Sequence, residues 1–520
     1  MSDETAAKPP QASASDFAPM SGPALWIAGL LLALANFMAV LDITIANVSV
    51  PNIAGGLAVS PSEGAWVITS YAVAEAITVP LTGWLSQRFG AVKVFVAAMC
   101  GFCLFSALCG LAPSLGVLVV FRILQGLSGG PMMPLSQTLL RRIFPERLQP
   151  TAMGLWGMTT VVGPIIGPLL GGYLVDHAGW PWVFYVNVPV AIVTAALAWR
   201  FLKDRETPTQ KVPVDFIGLA LLITFVGAMQ ILLDRGRELD WFQSSFIVTL
   251  LVIALIGFVS FIIWELTDPH PIVDLRVFRH RGFTAATVIM SLTYAAFFSS
   301  VVLVPLWLQT NMGYTAGWAG RAMAFQGVLA VVMSPIVARL MGRFDLRALV
   351  CFGVMVMGAV GLWRSTFSTD MSFMQVSLPN LVQGMAMPFF FIPTTALALA
   401  SVLPQETASG AGLMNFMRTT AGAFGTSISL SAWQNANDVQ RNDLAGSLHG
   451  PQAVMDSLTH VGLSAGQALG TVDNLVESQA TMAATNHIFL IVSMIFVVGA
   501  MAVWIAPKPA PLVGAPPSGH

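Results

Sequence analysis

The sequence predicts an all-α polytopic membrane protein. Its 520 residues are 56% hydrophobic and 9% charged, whereas soluble domains carry about 25% charged residues. Apolar runs of about 20 residues, the length that spans a bilayer as a helix, recur along the chain. The net charge of -1 gives no support for nucleic-acid binding, which needs a basic face. The four cysteines all lie in apolar runs, so a disulfide framework is not expected.

The apolar runs predict fourteen transmembrane helices between two tails. Residues 1–23 are polar and rich in Ala, Ser and Pro, which is typical of a disordered tail rather than a signal peptide. Residues 507–520 form the second tail. The predicted spans are 24–47, 64–85, 92–111, 115–140, 151–174, 181–200, 214–233, 244–266, 282–308, 316–338, 347–364, 373–402, 407–434 and 482–506.

Lysine and arginine set the predicted orientation, because they concentrate on the cytoplasmic side of a membrane protein. With the N-terminus in the cytoplasm, 17 of the 24 basic residues lie in inner segments, 4 in outer segments and 3 within spans. The four outer residues are Arg235, Arg237, Arg364 and Arg441. Both termini are therefore expected in the cytoplasm.

An internal repeat predicts how the spans are grouped. Leu124-Gln125-Gly126 is followed by prolines, a Phe-Pro-Glu and a Met-Gly-Leu, and Val382-Gln383-Gly384 opens a similar series about 258 residues later. The second copy falls two spans later than a six-plus-six plan requires, so two spans are inserted. We expect bundles at 24–203 and 282–506, two inserted helices with their loops at 204–281, and a substrate site near the midplane between the bundles.

One predicted outer loop, 435–481, is long and polar with scattered apolar positions. The spacing fits short amphipathic helices. The loop is either simply solvated or a docking surface for a periplasmic partner.

Charged residues within spans indicate function, because burying them in a membrane is unfavourable. Asp42 and Arg122 are expected ~9 Å and ~10 Å from the outer ends of their spans, at ~1.5 Å per residue, and so could pair. Glu75 lies near the middle of its span, where desolvation favours its protonated form. We predict that Asp42, Glu75 and Arg122 couple transport to protons; alternatively, Asp42 and Arg122 form a fixed clamp that never titrates. Arg418, in the span 407–434, is the fourth residue singled out among the charges within spans.

Glycines and prolines repeat every four residues between 163 and 172. Gly163, Gly167 and Gly171 share one helical face, and Pro164 and Pro168 share the next. Small residues let helices approach closely, and each proline favours a bend. We predict a close-packed, bent helix that acts as a hinge or seal between the two bundles, with ordinary packing as the alternative.

The inner loop after the second span carries two glycines and two basic residues, Gly83, Arg88, Gly90 and Lys93, and 338–347 is its expected counterpart. These loops either anchor the chain to the inner membrane surface or form a charged latch between bundles.

Polar, aromatic and charged residues within spans supply candidates for a substrate pocket, because aromatic and Met side chains suit loosely specific binding. The candidates are Asn47, Gln125, Trp156, Phe297, Phe390, Asn415 and Arg418. There is no Gly-Lys dipeptide for a P-loop and no metal-ligand spacing. Two GxSxG matches lack the strand-to-helix context of a nucleophile. We expect no enzyme, no metal and no cofactor, and a proton gradient as the energy source.

These motifs together resemble the major facilitator superfamily, and within it the 14-spanner drug:proton antiporters of the EmrB type. The similarity rests on Leu41 to Val48, Gly83 to Lys93, Arg122 with Gln125-Gly126, Gly163 to Gly172, Trp182 to Pro189 and Leu233 to Trp241. It implies the major facilitator fold, multidrug efflux by a proton-coupled antiporter, and a contribution to antibiotic resistance. It also implies a bacterial inner (cytoplasmic) membrane location and a tripartite pump with a membrane-fusion adaptor and an outer-membrane channel protein.

Two other functions stay open at this point. The chain could be a stand-alone exporter of one metabolite, such as a fatty acid or a siderophore. It could also be a non-transporting membrane enzyme or sensor on the same scaffold, although Asp42, Arg122 and the glycine/proline repeat favour transport.

Overall fold

A computed structural model describes residues 20–236, 238–447, 458–460 and 463–507. These residues form α-helices joined by turns and short 3₁₀ segments, with no strand among them. Most of the predicted first tail, nearly all of the second, Arg237 and the middle of 435–481 lie outside the described residues.

Eighteen helices are labelled here in chain order. They are α1 Gly22–Gly56, α2 Pro61–Gly64, α3 Trp66–Thr78, α4 Thr82–Phe89, α5 Ala91–Gly110, α6 Leu115–Gly129, α7 Met132–Ile143, α8 Gln149–Ala178, α9 Trp182–Tyr185, α10 Asn187–Leu202, α11 Phe216–Arg235, α12 Ser245–Thr267, α13 Arg281–Thr310, α14 Ala316–Leu340, α15 Leu346–Arg364, α16 Phe373–Ala400, α17 Thr407–Ser447 and α18 Ala465–Ala502.

Among the described residues, 11 helices are long and apolar enough to cross a membrane, or 12 if one bent pair is counted as a span. The predicted count of fourteen is therefore not confirmed, although a helix or a pair of helices covers each predicted segment. The span predicted at 64–85 is divided between α3 and α4 at residues 79–81, where Pro80 cannot supply a helical N–H. The segment 407–434 lies in α17, which carries many polar residues.

Local sequence signals explain where several helices begin. Ser372 and Gln375 form a capping box at α16, in which the Ser372 N–H donates to Gln375 Oε1 over 2.8 Å. Ser464 and Gln467 do the same for α18. The Asp215 carboxylate accepts from the first backbone N–H groups of α11.

The helices of each half pack mainly on one another. α1 lies against α8 and α10, and α6 lies against α3 and α5. In the second half α13 packs on α17 and α18, and α16 packs on α14 and α15. The two helices between the halves, α11 and α12, pair with each other, and α11 also contacts α3 and α17.

The internal repeat reappears as two matching helix contacts. A Cβ at Gly126 would lie 2.5 Å from the backbone oxygen of Tyr71, and a Cβ at Gly384 would overlap that of Gln326. Gly126 and Gly384 hold the same place in the two copies. In both halves glycine thus allows the fourth helix of the repeat to touch a neighbouring backbone.

The halves meet at the helix ends predicted to face the cytoplasm. Asn415 Nδ2 of α17 donates to Gln137 Oε1 of α7 over 2.8 Å. A Cβ at Gly154 would lie 3.0 Å from that of Ala338 in α14, and Arg141 donates to the backbone oxygen of Leu399. These contacts close the predicted inner side of the protein.

One sequence prediction is wrong in detail. Arg364 does not lie in an outer loop: it ends α15 with 2% of its surface exposed, and it donates to Asn380 and Gln383 of α16. Two amide side chains within the second half therefore bind this buried cation.

The segment 435–481 is helical at both ends, because α17 continues to Ser447 and α18 begins at Ala465.

The extended ends of α17 and α18 are joined side by side by polar contacts. Arg441 Nη2 lies 2.8 Å from Asp473 Oδ1, and its Nε lies 3.2 Å from Glu477 Oε2. These acidic neighbours raise the pKa of Arg441. The pair borders an open cavity of about 1030 Å³ that also reaches the 240–243 turn.

Candidate functional site

Asp42 and Arg122 form a buried ion pair in the first half. Arg122 Nη1 lies 2.7 Å from Asp42 Oδ2, and each side chain is 1% exposed. The sequence prediction that these residues could pair is confirmed.

Neutral side chains complete the surroundings of Asp42. Asn187 Nδ2 donates to Asp42 Oδ1 over 2.7 Å, and Gln125 Nε2 donates to the same oxygen over 3.1 Å. Arg122 also donates to Gln125 Oε1 and to the backbone oxygen of Val67. The carboxylate thus joins α1, α6 and α10 through charge-assisted hydrogen bonds.

Glu75 lies in α3, close to this pair but without its contacts. Its side chain is 8% exposed, and no hydrogen bond or ion pair of its carboxyl group occurs among the described residues. Asp42, Arg122 and Arg418 are its electrostatic neighbours. Glu75 is therefore a buried carboxyl group whose electrostatic neighbours include the first-half ion pair and a second-half arginine.

Arg418 extends from α17 towards the first half. It is 1% exposed, its guanidinium lies 5.3 Å from the Tyr294 ring centre and 5.8 Å from that of Trp156, and its Nη2 contacts Met133 Sδ at 3.4 Å. Its Nε has no hydrogen-bond partner, and it forms no ion pair within the described part of the chain. Aromatic faces attract such a cation, but its charge is not neutralised directly.

An aromatic cluster continues from Arg418 into the second half. The Tyr294 ring stacks on Phe298 with centres 4.5 Å apart, and Phe391 lies 5.7 Å from Tyr294 and 6.0 Å from Phe297. Phe390 adjoins Phe391 at 4.7 Å. The structure therefore brings the predicted residues Trp156, Phe297, Phe390 and Arg418 into one continuous region.

The other three predicted pocket residues lie elsewhere. The Gln125 side chain is hydrogen-bonded to Asp42 and Arg122. Asn415 contacts Gln137 in the seam between the halves, and Asn47 is exposed on α1. None of these three lines the aromatic region in this conformation.

The glycine face of α8 packs within the first half rather than between the halves. A Cβ at Gly163 would lie 2.6 Å from Val40 Cγ1, one at Gly167 would overlap Thr44, and one at Gly171 would lie 3.3 Å from the backbone oxygen of Ile45. These residues of α1 flank Asp42. α8 bends by 45° between its parts ending at Pro164 and beginning at Ile166, as the prolines predict.

The opposite end of α8 does reach the second half. Gly154 faces Ala338 in α14, and a Cβ at Gly157 would lie 2.8 Å from Ile392 in α16. α8 therefore links the surroundings of Asp42 to the seam between the halves.

The inner-loop motif packs mainly on the linker that follows the first half. Arg88 Nη1 donates to the Val212 oxygen over 2.5 Å, and the Glu206 carboxylate accepts from the backbone N–H groups of Val92 and Lys93. Gly90 adopts φ +93° beside Glu206. Gly83 instead touches Ser409 of the second half. The basic side chain Arg88 thus binds the linker, whereas a glycine makes the contact between halves.

Sequence reasoning missed several residues that hold the buried charges. Tyr71 lies under the Arg122 guanidinium at 4.1 Å, and Tyr294 does the same for Arg418. Asn187 is an amide side chain in an apolar span, and its hydrogen bond to Asp42 is evident only from the structure. The burial of Arg364 was not predicted, because this residue falls at the end of an apolar run, where a loop was expected to begin.

The fold and the site define a polytopic helical membrane protein with two packed halves and buried charges at their junction. The family model described as Major Facilitator Superfamily matches residues 32–426. The chain belongs to the major facilitator superfamily.

Curated relatives match almost the whole chain. It is 42% identical to the fatty acid resistance protein FarB of Neisseria gonorrhoeae over 498 residues, covering 95% of this chain and 98% of that protein. It is 42% identical to the multidrug export protein EmrB of Escherichia coli K12 over 496 residues, covering 94% and 97%. The chain is thus similar to the EmrB-type export proteins, as its motifs predict.

A solved structure shares the fold at low sequence identity. The human organic anion transporter MFSD10 superposes with a TM-score of 0.56 at 14% identity, covering 93% of this chain and 100% of that one. This similarity supports the fold alone.

Proposed function

We propose that the protein exports hydrophobic toxic compounds across the bacterial inner membrane in exchange for protons. The observation that carries the proposal is Glu75, a buried carboxyl group without a hydrogen-bond partner among the described residues, which has the second-half cation Arg418 among its electrostatic neighbours. Similarity to EmrB supports a drug-like cargo.

Charge at Glu75 gives a physical link between a proton and the shape of the protein. Ionised Glu75 attracts Arg418 in the low-dielectric junction and favours the closed inner seam. Protonation from the outer side removes that attraction, so the halves separate more easily at the inner side. Release of the proton inside, with cargo bound, restores the attraction and closes the seam again. One turn of this cycle moves a proton inward and cargo outward.

Asp42 has a different role in this proposal. Its carboxylate accepts hydrogen bonds from Arg122, Gln125 and Asn187, and in this proposal it holds Arg122 in place. The field of this pair acts on Glu75, which lies close by. Asp42 and Arg122 therefore tune the proton site, and Glu75 carries the proton.

Cargo is proposed to bind beside Arg418, on the aromatic cluster of Tyr294, Phe297, Phe298 and Phe391. Aromatic side chains accept varied hydrophobic molecules through their large apolar faces. Flexible Met133, which contacts Arg418, can adapt to different shapes.

Purified protein in proteoliposomes tests the proton coupling. An imposed pH gradient is expected to drive dye transport, and an uncoupler to abolish it. Glu75→Gln should lose gradient-driven transport at every pH yet keep dye exchange without a gradient, because its cargo site is intact. Glu75→Asp, which keeps a titratable group, serves as the matched control. Normal gradient-driven transport by Glu75→Gln would rule out Glu75 as the proton carrier.

Fatty-acid export is a second candidate, supported by the similarity to FarB. A fatty-acid carboxylate would neutralise Arg418 while its chain lay on the aromatic cluster. A resistance profile in a pump-deficient host separates the candidates: protection against fatty acids alone favours the second, and protection against unrelated drugs favours the first.

We also propose that the protein works in a tripartite pump, with the paired ends of α17 and α18 as the adaptor contact. This pair presents acidic and amide groups beside the outer cavity. Co-purification with the membrane-fusion adaptor tests it: Arg441→Ala, which removes the contacts to Asp473 and Glu477, should reduce adaptor recovery. Unchanged recovery together with intact efflux would argue against this surface.

A further inference from the structure

A small basic cavity lies between the halves at the predicted cytoplasmic surface. It has a volume of about 380 Å³. The first half contributes Arg147, Pro150 and Thr151, and the second contributes Ala338, Arg339, Gly342 and Arg343. It therefore straddles the seam that closes the inner side.

Its three arginines carry uncompensated charge. Arg147, Arg339 and Arg343 have exposed side chains, no acidic residue lines the cavity, and none of the three forms an ion pair within the described ranges. Nearby Arg347, by comparison, pairs with Asp345 at 2.9 Å. Like charges brought together from two halves repel each other, so an anion between them is favoured.

We propose that this cavity binds the phosphate of an anionic phospholipid from the cytoplasmic leaflet. Guanidinium groups recognise phosphate through paired hydrogen bonds. Basic pockets between membrane helices on the cytoplasmic side are suited to lipid headgroups. Arginines that served only to orient the chain would not need to converge from two distant loops.

The bound headgroup bridges the halves. Ala338, which lines the cavity, also faces Gly154 across the seam, where a Cβ would lie 3.0 Å away. A ligand that contacts Arg147 on one side and Arg339 on the other binds best when the seam is closed. By population shift, anionic lipid then stabilises the inner-closed conformation. This inference does not depend on the cargo or on proton coupling.

Lipid binding to the purified full-length protein tests the site. The probes are phosphatidylglycerol, phosphatidylcholine and inorganic phosphate, each added to protein in neutral detergent, with native mass spectrometry and thermal unfolding as readouts. The variants are Arg339→Gln/Arg343→Gln, the charge-conserving Arg339→Lys/Arg343→Lys, and the control Arg200→Gln/Lys203→Gln, which removes two exposed basic residues elsewhere on the same predicted side.

We expect wild type and the control to bind phosphatidylglycerol more tightly than phosphatidylcholine and to unfold at a higher temperature with it. The Arg339→Gln/Arg343→Gln variant should bind about thirtyfold more weakly, the order expected when two basic residues are lost at an anionic membrane surface. The lysine variant should retain part of the binding, which shows that the fold is intact. An equal effect of inorganic phosphate would assign the site to a free anion rather than a lipid. Equal phosphatidylglycerol binding by all variants would overturn the proposal.

Discussion

Arg122 Nη1 and Asp42 Oδ2 lie 2.7 Å apart, both in side chains that are 1% exposed. Removing one partner would leave the other charged and buried, which costs about 3–5 kcal/mol in soluble proteins. We therefore expect Asp42→Asn to lower the thermal stability of the protein and to abolish gradient-driven transport. Unfolding temperature and proteoliposome transport measure the two effects.

The double variant Asp42→Leu/Arg122→Met separates the structural and functional roles of that pair. Well-packed apolar replacements for a buried ion pair are often neutral for stability. We expect the double variant to regain stability but not proton-driven transport. If it transported normally, the pair would be a fixed clamp.

Gly167 and Gly172 provide a matched comparison on α8. A Cβ at Gly167 would overlap Thr44, whereas no atom lies within 4 Å of a Cβ at Gly172. Gly167→Ala should cost about 1–3 kcal/mol through overpacking and impair transport, while Gly172→Ala should leave both near normal. A thermal melt and dye efflux check this, and restored efflux on adding Thr44→Gly would identify the clash as the cause.

Gln125 and Gln383 hold equivalent places in the internal repeat but have different electrostatic surroundings. Gln383 accepts from Arg364, which forms no ion pair among the described residues, over 2.5 Å, whereas Gln125 accepts from Arg122 over 2.8 Å and also donates to Asp42 over 3.1 Å. Gln383→Glu should therefore raise the unfolding temperature, because a carboxylate would neutralise the buried Arg364 cation, which an amide cannot do. Gln125→Glu should lower it, since a second carboxylate would adjoin Asp42. Shifts of the same sign would contradict this account.

Glu206 caps α5 from the linker after the first half. Its carboxylate accepts from the N–H groups of Val92 and Lys93, each over 2.9 Å. Glu206→Ala should cost about 0.5–2 kcal/mol, the usual effect of losing such a cap. Asp204→Ala, at an exposed neighbouring position, should have little effect; thermal unfolding of both variants compares them.

Local sequence patterns predicted where most helices lie, but not which of them are apolar enough to span a membrane or which of their residues are buried. Apolar runs located α1, α5 and α12 because a bilayer demands long apolar helices. The hydropathy of α17 falls short of a membrane span because the helix carries many polar residues, some of which, such as Asn415 and Arg418, are buried against other helices. The same criterion misplaced Arg364, since hydropathy cannot reveal that Asn380 and Gln383 will accept its hydrogen bonds.

The sequence predicted the charged residues of the candidate site but not the uncharged side chains that bind them. Asp42, Glu75, Arg122 and Arg418 were identifiable because charges are rare in apolar spans. The partners Tyr71 and Asn187 were not, because aromatic and amide side chains occur in such spans for many reasons. The glycine face of α8 was recognised as a close-packing surface, but its partner was α1 rather than the second half.

The sequence by itself determined that this chain is a helical membrane protein with an internal repeat, with charges placed where a membrane makes them unfavourable. Those properties follow from composition and spacing, which act along the chain. Only the tertiary structure decided that Asn187 and Gln125 bind Asp42, that Arg418 contacts Met133 of the first half, and that three arginines from two halves surround one cavity. These relations depend on helix packing between residues far apart in the chain, which no local pattern specifies.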